Sequence, residues 1–530
     1  MSHFPAFPSR PDVVGWWARV QPGRVALVDR RRDARLTYAE LDAASATWAR
    51  ALHALGVGRG DRVAVLAGNR GELPALFGAC LRVGAVILPL NWRLAAPELA
   101  PIVADAAPAV LIGESRFRAV AEQAVGRGAG GAPRWVDLDD DAPALLRRAA
   151  SAPEVPEVRA APDAPTMLLY TSGSTGAPKG AVLPHRQLLH NAVATAVGWE
   201  LGASDVAPVT TPFFHTGGWH VFTTPILHVG GTVVLFEQFD AATFLDDLAE
   251  ERCTVAFCVP TQIAMLADGP SWGRPLPDLR WLISGGAPCP PALAERVRGA
   301  GIDFREGFGL TECGPNCFAI GGAAARARPG SVGWPALFLE MRLDAGGGRE
   351  AEPGEPGELL LRGPQLFAGY WNAPARTAEA VDAEGWLHTG DLASRDADGA
   401  YRICGRRKEM FISGGENVFP GEVEAALAEC DGVAEVIVVG VPDAKWGEVG
   451  RAFVVPRAAG RAAGSEELAG LVVAHARRRL AGYKVPKSVI VLDELPRLGS
   501  GKPDRRALAA WTVPGAADAN DARTAHARRG

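Results

Sequence analysis

No apolar run in this sequence is long enough to cross a bilayer, so no integral membrane segment is expected. The N-terminus, MSHFPAFPSRPDVVGWW, lacks a basic stretch followed by an apolar one, which argues against a secretory signal. Cysteine is sparse and scattered. Of eight residues, Cys253 with Cys258 and Cys313 with Cys317 come nearest to pairs, and neither makes a CxxC metal framework. They read as reduced core thiols, which places the chain in the cytoplasm. There is no excess of positive charge. Lys and Arg number 55 against 60 Asp and Glu, interspersed, for a net charge of -5. That balance argues against a nucleic-acid partner. No internal repeat is visible, so a solenoid or propeller is not expected.

What is present is a long chain of ordinary globular composition. Its 530 residues exceed one core, and 48% hydrophobic with 22% charged residues suits a soluble fold of at least two domains. Apolar positions at helical spacing fill Leu36 to Leu55. Strands RVAVLAG (Arg62 to Gly68), AVILPLN (Ala85 to Asn91) and AVLIG (Ala109 to Gly113) then alternate with helices, including Glu72 to Val83. This alternation predicts a parallel sheet with crossover helices. Ser115 to Ala164 is Ala/Pro/Arg-rich and weakly periodic, and reads as a surface excursion. Alternation resumes from Gln187 to Ala300. Short strands with Gly/Pro turns follow from Ser331 to Arg362. Near Gly405 the pattern changes to a small α+β domain. The expected domains are residues 1–404, 405–512 and a tail at 513–530 without periodicity.

The chain is organised around YTSGSTGAPKG, Tyr170 to Gly180. Glycines allow close backbone approach and aim N–H groups at oxygens, hydroxyls donate, and Lys179 adds a mobile cation. Such a loop suits polyphosphate, although local composition alone equally suits a Gly/Ser turn. It is not a Walker A loop, because Pro178 precedes the lysine and Gly180 follows it. The stretch resembles the phosphate-binding signature of the adenylate-forming superfamily: acyl- and aryl-CoA synthetases, peptide-synthetase adenylation domains and luciferases. Further matching motifs run in the family's order to Lys502.

The resemblance implies roles for particular residues. Thr171, Ser172, Gly173, Ser174, Thr175, Gly176 and Lys179 would bind phosphate. PFFHTGGW (Pro212 to Trp219) places His215 by the acyl carboxylate and Trp219 near the acyl pocket. SGGAP puts Gly285, Gly286, Ala287 and Pro288 against adenine. In REGFGLTECG (Arg305 to Gly314), the third glycine of a dinucleotide fingerprint is replaced by Glu312, so a Rossmann reading is rejected. Glu306, Gly307, Phe308 and Gly309 would meet the adenine, with Phe308 suited to stacking. The family often has an amide where Glu306 stands. Thr311 can bond a phosphate oxygen, and Glu312 is a hard oxygen ligand suited to Mg²⁺. Asp391 and Arg406 would bind the ribose, and Lys408 matches the hinge. Gly414 and Gly415 match a pantetheine channel, while Trp446, Tyr483 and Lys484 match CoA contacts. Lys502, in PRLGSGKPDRRAL, matches the reactive-site cation.

The resemblance therefore implies a large N-terminal five-layered α/β sandwich with an attached small β-barrel, and a mobile C-terminal α+β domain. The activity it implies is an ATP- and Mg²⁺-dependent ligation. A carboxylic acid is activated as acyl-adenylate, and its acyl group passes to the thiol of CoA. A fatty acid is the favoured substrate, because Phe213 to Val229 offers no obvious charge for a second carboxylate. An aryl acid, or an acyl carrier protein as the acceptor, is the alternative. A thiol-independent, luciferase-like enzyme is a different class, and SGGEN and KWGE argue against it.

Overall fold

The computed structural model describes residues 12–125, 133–156, 158, 161–171, 178–457, 460–461, 464–498 and 502–511. The chain divides into two compact units, Met1–Ile403 and Cys404–Gly530. Among the described residues no helix is long and apolar enough to cross a membrane. All eight cysteines are free thiols, and all but the half-buried Cys404 are buried. The expected tail at 513–530 lies outside the described residues.

The first unit holds three largely parallel sheets flanked by helices. A six-stranded sheet runs in the order Arg134–Asp137, Val110–Gly113, Arg62–Leu66, Val86–Pro89, Pro165–Thr171, Lys179–Pro184. Its neighbouring strands pair in parallel except the last two, which form an antiparallel hairpin. Strand Val110–Gly113 is buried at every position, as expected when helices cover both faces. A four-stranded sheet joins Ala34–Thr37, Val25–Asp29, Thr232–Leu235 and Val206–Val209. The third sheet, Val255–Cys258, Trp281–Ser284 and Phe304–Glu306, is wholly parallel. Beyond these, Glu340–Asp344, Gly357–Arg362, Leu387–Arg395 and Tyr401–Arg406 form the β-rich attachment, with antiparallel pairing through the first three strands.

Two expectations are corrected. Ser115 to Ala164 is more than a surface excursion, because it supplies the edge strand Arg134–Asp137 and helices Arg118–Val125 and Ala142–Ala150. The strand is short, and the Ala-rich helices bury few positions, so periodicity was weak. What fixes the strand is packing at a glycine: a Cβ on Gly113 would lie 2.5 Å from Trp135 Cη2. The helix expected from Leu36 starts at Tyr38, because Ala34–Thr37 is a strand. A reciprocal cap sets the boundary, with Glu40 N–H donating to Thr37 Oγ1 at 3.2 Å and Thr37 N–H to Glu40 Oε2 at 2.8 Å.

In the second unit, Val433–Asp443 and Gly447–Pro456 form a long antiparallel hairpin, and Ser488–Val491 pairs in parallel with its second strand. Helices Pro420–Leu427 and Ser465–Arg479 bury Val423, Leu427, Leu468, Val472 and Ala476 in one core. Val439, Phe453 and Leu508 belong to another.

Candidate active site

Lys179 opens the second strand of the hairpin, opposite Thr171. A distant segment lies along that strand: Ala368 N–H donates to Val182 O at 2.8 Å, Val182 N–H to Gly369 O at 3.0 Å, and Trp371 N–H to Gly180 O at 2.8 Å. The added chain brings Tyr370 to Lys179. Lys179 Nζ donates to Tyr370 OH at 2.7 Å and stands 4.2 Å from the ring centroid. Tyr370 OH in turn donates to Glu312 Oε1 at 2.6 Å, while Lys179 Nζ is 3.8 Å from the same oxygen. Burial, then the charge of Glu312, pushes the Tyr370 phenol well up, so it stays protonated and donates. Glu312 sits in a 3₁₀ turn, Thr311–Cys313, held by Gln187 Nε2 donating to Thr311 O at 3.0 Å and Phe367 N–H donating to Glu312 O at 2.7 Å. Thr171 Oγ1 is buried and without a hydrogen-bond partner among the described residues. Ser172, Gly173, Ser174, Thr175 and Gly176 lie outside the described residues.

A second wall forms beyond the parallel strands Trp281–Ser284 and Phe304–Glu306. Gly307 N–H donates to Ser284 O at 2.7 Å, and a Cβ on Gly285 would lie 3.3 Å from Gly307 O. Gly286 has φ +80° and leads to the exposed Ala287 and Pro288. Gly309 is required sterically, because a Cβ there would fall 2.2 Å from the Pro315 backbone. Phe308 is half-buried, edge-on to Phe318 at 6.0 Å. Burial pushes the Glu306 carboxyl pKa up, against the opposing charges of Arg298 and Arg402. Asp391 is 5% exposed on strand Leu387–Arg395, where its N–H donates to Thr389 Oγ1 at 3.0 Å.

His215 is half-buried in the turn after strand Val206–Val209, its ring 4.5 Å from that of Phe214. Trp219 is 1% exposed; its Nε1 donates to Phe213 O at 2.6 Å and its ring meets Phe77 and Phe213. Asn69 clamps the turn, its Nδ2 donating to Thr211 O at 3.0 Å and its Oδ1 accepting from Phe213 N–H at 3.0 Å. His220, nearby in sequence, plays a different part. Burial, with His228 adding to it, pushes its pKa down to about 3, and its carbonyl accepts from Asn191 and Asn316. It is a neutral core residue.

In the second unit, Gly414 and Gly415 form the two-residue tip between Phe411–Ser413 and Glu416–Val418, at φ +63° and +88°. Gly414 N–H donates to Trp446 O at 2.9 Å. Trp446 is 40% exposed, with Lys445 Nζ 4.8 Å and Lys487 Nζ 6.0 Å from its ring. Tyr483 is half-buried against the core, and Lys484 Nζ donates to Glu422 Oε1 at 2.6 Å. Burial opposes the Lys484 charge, but Glu422 outweighs it and raises the pKa. Arg406 ends strand Tyr401–Arg406, and Lys408 is exposed in the turn that follows. Lys502 is exposed, its carbonyl accepting from Leu498 N–H at 2.8 Å. Gly499 and Gly501 of its loop lie outside the described residues.

Motif reading missed Tyr370 and Asn69. Tyr370 stands in GYWN and Asn69 in GNRGE, each a polar or aromatic residue beside glycine. Those glycines are the signal that could have marked a built loop.

Residues 14–371 match the family model of AMP-binding enzymes, and residues 422–502 match the C-terminal domain of AMP-binding enzymes. The chain belongs to the AMP-binding enzyme family. Among its relatives in that family is a feruloyl-CoA synthase of Amycolatopsis sp, 42% identical over 92% of this chain and 95% of that one. An indoleacetate–CoA ligase of Aromatoleum aromaticum is 39% identical over 92% and 94%. A long-chain fatty-acid–CoA ligase of Mycobacterium tuberculosis is 36% identical over 92% and 96%. The o-succinylbenzoate CoA synthetase of Bacillus subtilis, solved with its acyl-adenylate, superposes with a TM-score of 0.84 at 30% identity, covering 96% of this chain and 99% of that one. Within the AMP-binding enzymes, the chain is thus an acyl-CoA synthetase of the adenylate-forming superfamily.

Proposed function

We propose that the chain is an AMP-forming acid–CoA ligase acting on an aryl-substituted carboxylic acid. The observation that carries the ligase reading is the joint presence of both family domains with the Lys179–Tyr370–Glu312 cluster in the first. A cation and a carboxylate side by side, next to a buried Thr171 hydroxyl without a partner among the described residues, fit a magnesium–phosphate pair. Glu312, with Thr311, would hold Mg²⁺, which neutralises charge on the phosphates when bound. Lys179 and Thr171 bind phosphate oxygens. Glu306, Phe308 and the Gly285–Gly286 turn bind adenine, and Asp391 and Arg406 the ribose.

In the first half-reaction the carboxylate oxygen of the acid attacks the α-phosphorus of ATP and pyrophosphate leaves. Lys502 steadies the developing negative charge. In the second, the CoA sulfur attacks the acyl carbon and AMP leaves, with His215 beside the acyl carboxyl and Trp219 beside the acyl group. Gly414, Gly415, Trp446, Tyr483 and Lys484 guide CoA. Lys502 serves the first half-reaction and the CoA residues of the same unit the second, with Lys408 as the hinge residue.

The aromatic preference is supported by the higher identity to the feruloyl- and indoleacetate-activating relatives than to the fatty-acid ligase. A fatty acid is the second reading, supported by the 36% identity to the long-chain fatty-acid–CoA ligase and compatible with the apolar stretch from Phe213 to Val229. Pyrophosphate exchange with ferulate, indole-3-acetate and a straight-chain fatty acid, each with and without CoA, tests both. Aryl-acid-dependent exchange with CoA-dependent AMP release is expected. Exchange with the fatty acid alone would replace the first reading by the second, and AMP release indifferent to CoA would refute the ligase.

A further inference from the structure

We propose that Tyr370 is a positioning residue of the nucleotide site: its hydroxyl sets the separation and orientation of Lys179 and Glu312. This rests on the reading of those residues as phosphate and metal ligands.

Tyr370 reaches the pair from a third segment that is itself fixed. Its N–H donates to Thr377 Oγ1 at 2.9 Å, its ring packs edge-on against Phe367 at 4.9 Å, and its backbone bridges Ala181. Gly369 must be glycine for this path, with φ +120° and a built Cβ 2.9 Å from Thr377 Cγ2. The phenol is thus more rigid than the long lysine and glutamate side chains it joins. Its oxygen accepts from Lys179 Nζ and its proton goes to Glu312 Oε1. One hydroxyl therefore satisfies both charges while keeping them 3.8 Å apart.

The geometry at Glu312 matters most. Both the phenol and the ammonium address Oε1, so Oε2 is left to a cation among the described residues. Without the hydroxyl, Lys179 and Glu312 would close into a direct pair. A direct pair must be opened before either can engage a magnesium–phosphate group. The hydroxyl replaces that contact with one that leaves the second Glu312 carboxylate oxygen for a cation. Tyr370 thereby acts through Lys179 and Glu312.

The test compares the full-length wild type with Tyr370→Phe, which keeps the ring and its cation–π contact. MgATP binding by calorimetry should weaken about tenfold, the range for losing a hydrogen bond to a charged group. The Mg²⁺ concentration giving half-maximal pyrophosphate exchange should rise, while thioester formation from supplied acyl-adenylate keeps the wild-type rate. In a Glu312→Gln background the same substitution should add little, because the two residues act together. Thr377→Val loosens the Tyr370 backbone but spares the hydroxyl, and should move the Mg²⁺ midpoint in the same direction but by clearly less. Unchanged MgATP affinity in Tyr370→Phe overturns the proposal. So do full additivity with Glu312→Gln, equal loss of both half-reactions, or a Thr377→Val variant that shifts the midpoint as far as Tyr370→Phe does. If the wild type binds MgATP but no acid supports exchange, the ligase reading falls and the binding comparison alone judges Tyr370. If it does not bind MgATP, both fall.

Discussion

Gly414→Ala should block the thiol step and spare adenylation. Gly414 adopts φ +63°, where an L-residue costs about 1–2 kcal/mol. Its new Cβ would also lie 2.8 Å from Trp446 Cε3 and 3.1 Å from Cζ3. The Trp446 backbone cannot retreat freely, because its carbonyl accepts from Gly414 and its N–H donates to Asp443 Oδ1 at 2.9 Å. The ring must therefore turn off its rotamer, at roughly 0.5–1.5 kcal/mol. Together this is about 2–3 kcal/mol, or roughly a thirty- to hundred-and-fortyfold loss if it falls on the CoA-competent arrangement. Gly415→Ala is the matched control. It has φ +88° but nothing within 4 Å of a built Cβ, so it carries the backbone cost without the collision. Single-turnover reaction of purified acyl-adenylate with CoA, set beside acid-dependent pyrophosphate exchange, reads the two steps separately. The reasoning is refuted if Gly414→Ala forms thioester at the wild-type rate, if it loses no more than Gly415→Ala, or if exchange falls in parallel.

Lys502→Ala should reduce pyrophosphate exchange by roughly 10²–10³-fold, the scale for removing one preorganised donor; equal loss in the thioester half-reaction would unseat the assignment. Glu306→Gln bears on stability. Burial raises the Glu306 pKa, so its favourable contribution is complete below the unfolded pKa and is lost as pH rises through the folded one. The variant should melt higher than wild type at neutral pH and converge with it in acid, and a gap independent of pH in thermal melts would count against this. Asn69→Ala strands the buried Phe213 N–H, a loss of about 1–3 kcal/mol. Its KM for the acid should rise while that for ATP holds, and the reverse pattern in steady-state kinetics would show that the clamp does not serve the His215 turn.

Sequence by itself determined the parts of this protein whose information is local. Helix Glu72–Val83 is bounded where its apolar spacing begins and where Gly84 adopts φ +72°. Strands such as Trp281–Ser284 are short apolar runs between turn residues, and the adenylate-forming motifs are contiguous strings whose glycines and hydroxyls must be adjacent to work. The acid was not legible, because an apolar stretch such as Phe213 to Val229 suits an aromatic ring and an alkyl chain alike. Tertiary structure alone decided the rest. The edge strand Arg134–Asp137 exists because Val110–Gly113 lies beside it, not because its own four residues demand extension. His215 and His220 look alike in sequence, yet His215 is half-buried in a turn, whereas burial holds His220 neutral in the core. Tyr370 meets Lys179 across 191 residues, through backbone pairing that no local pattern announces. Local composition chooses an element, but which charges share one hydroxyl depends on which strands come to lie together.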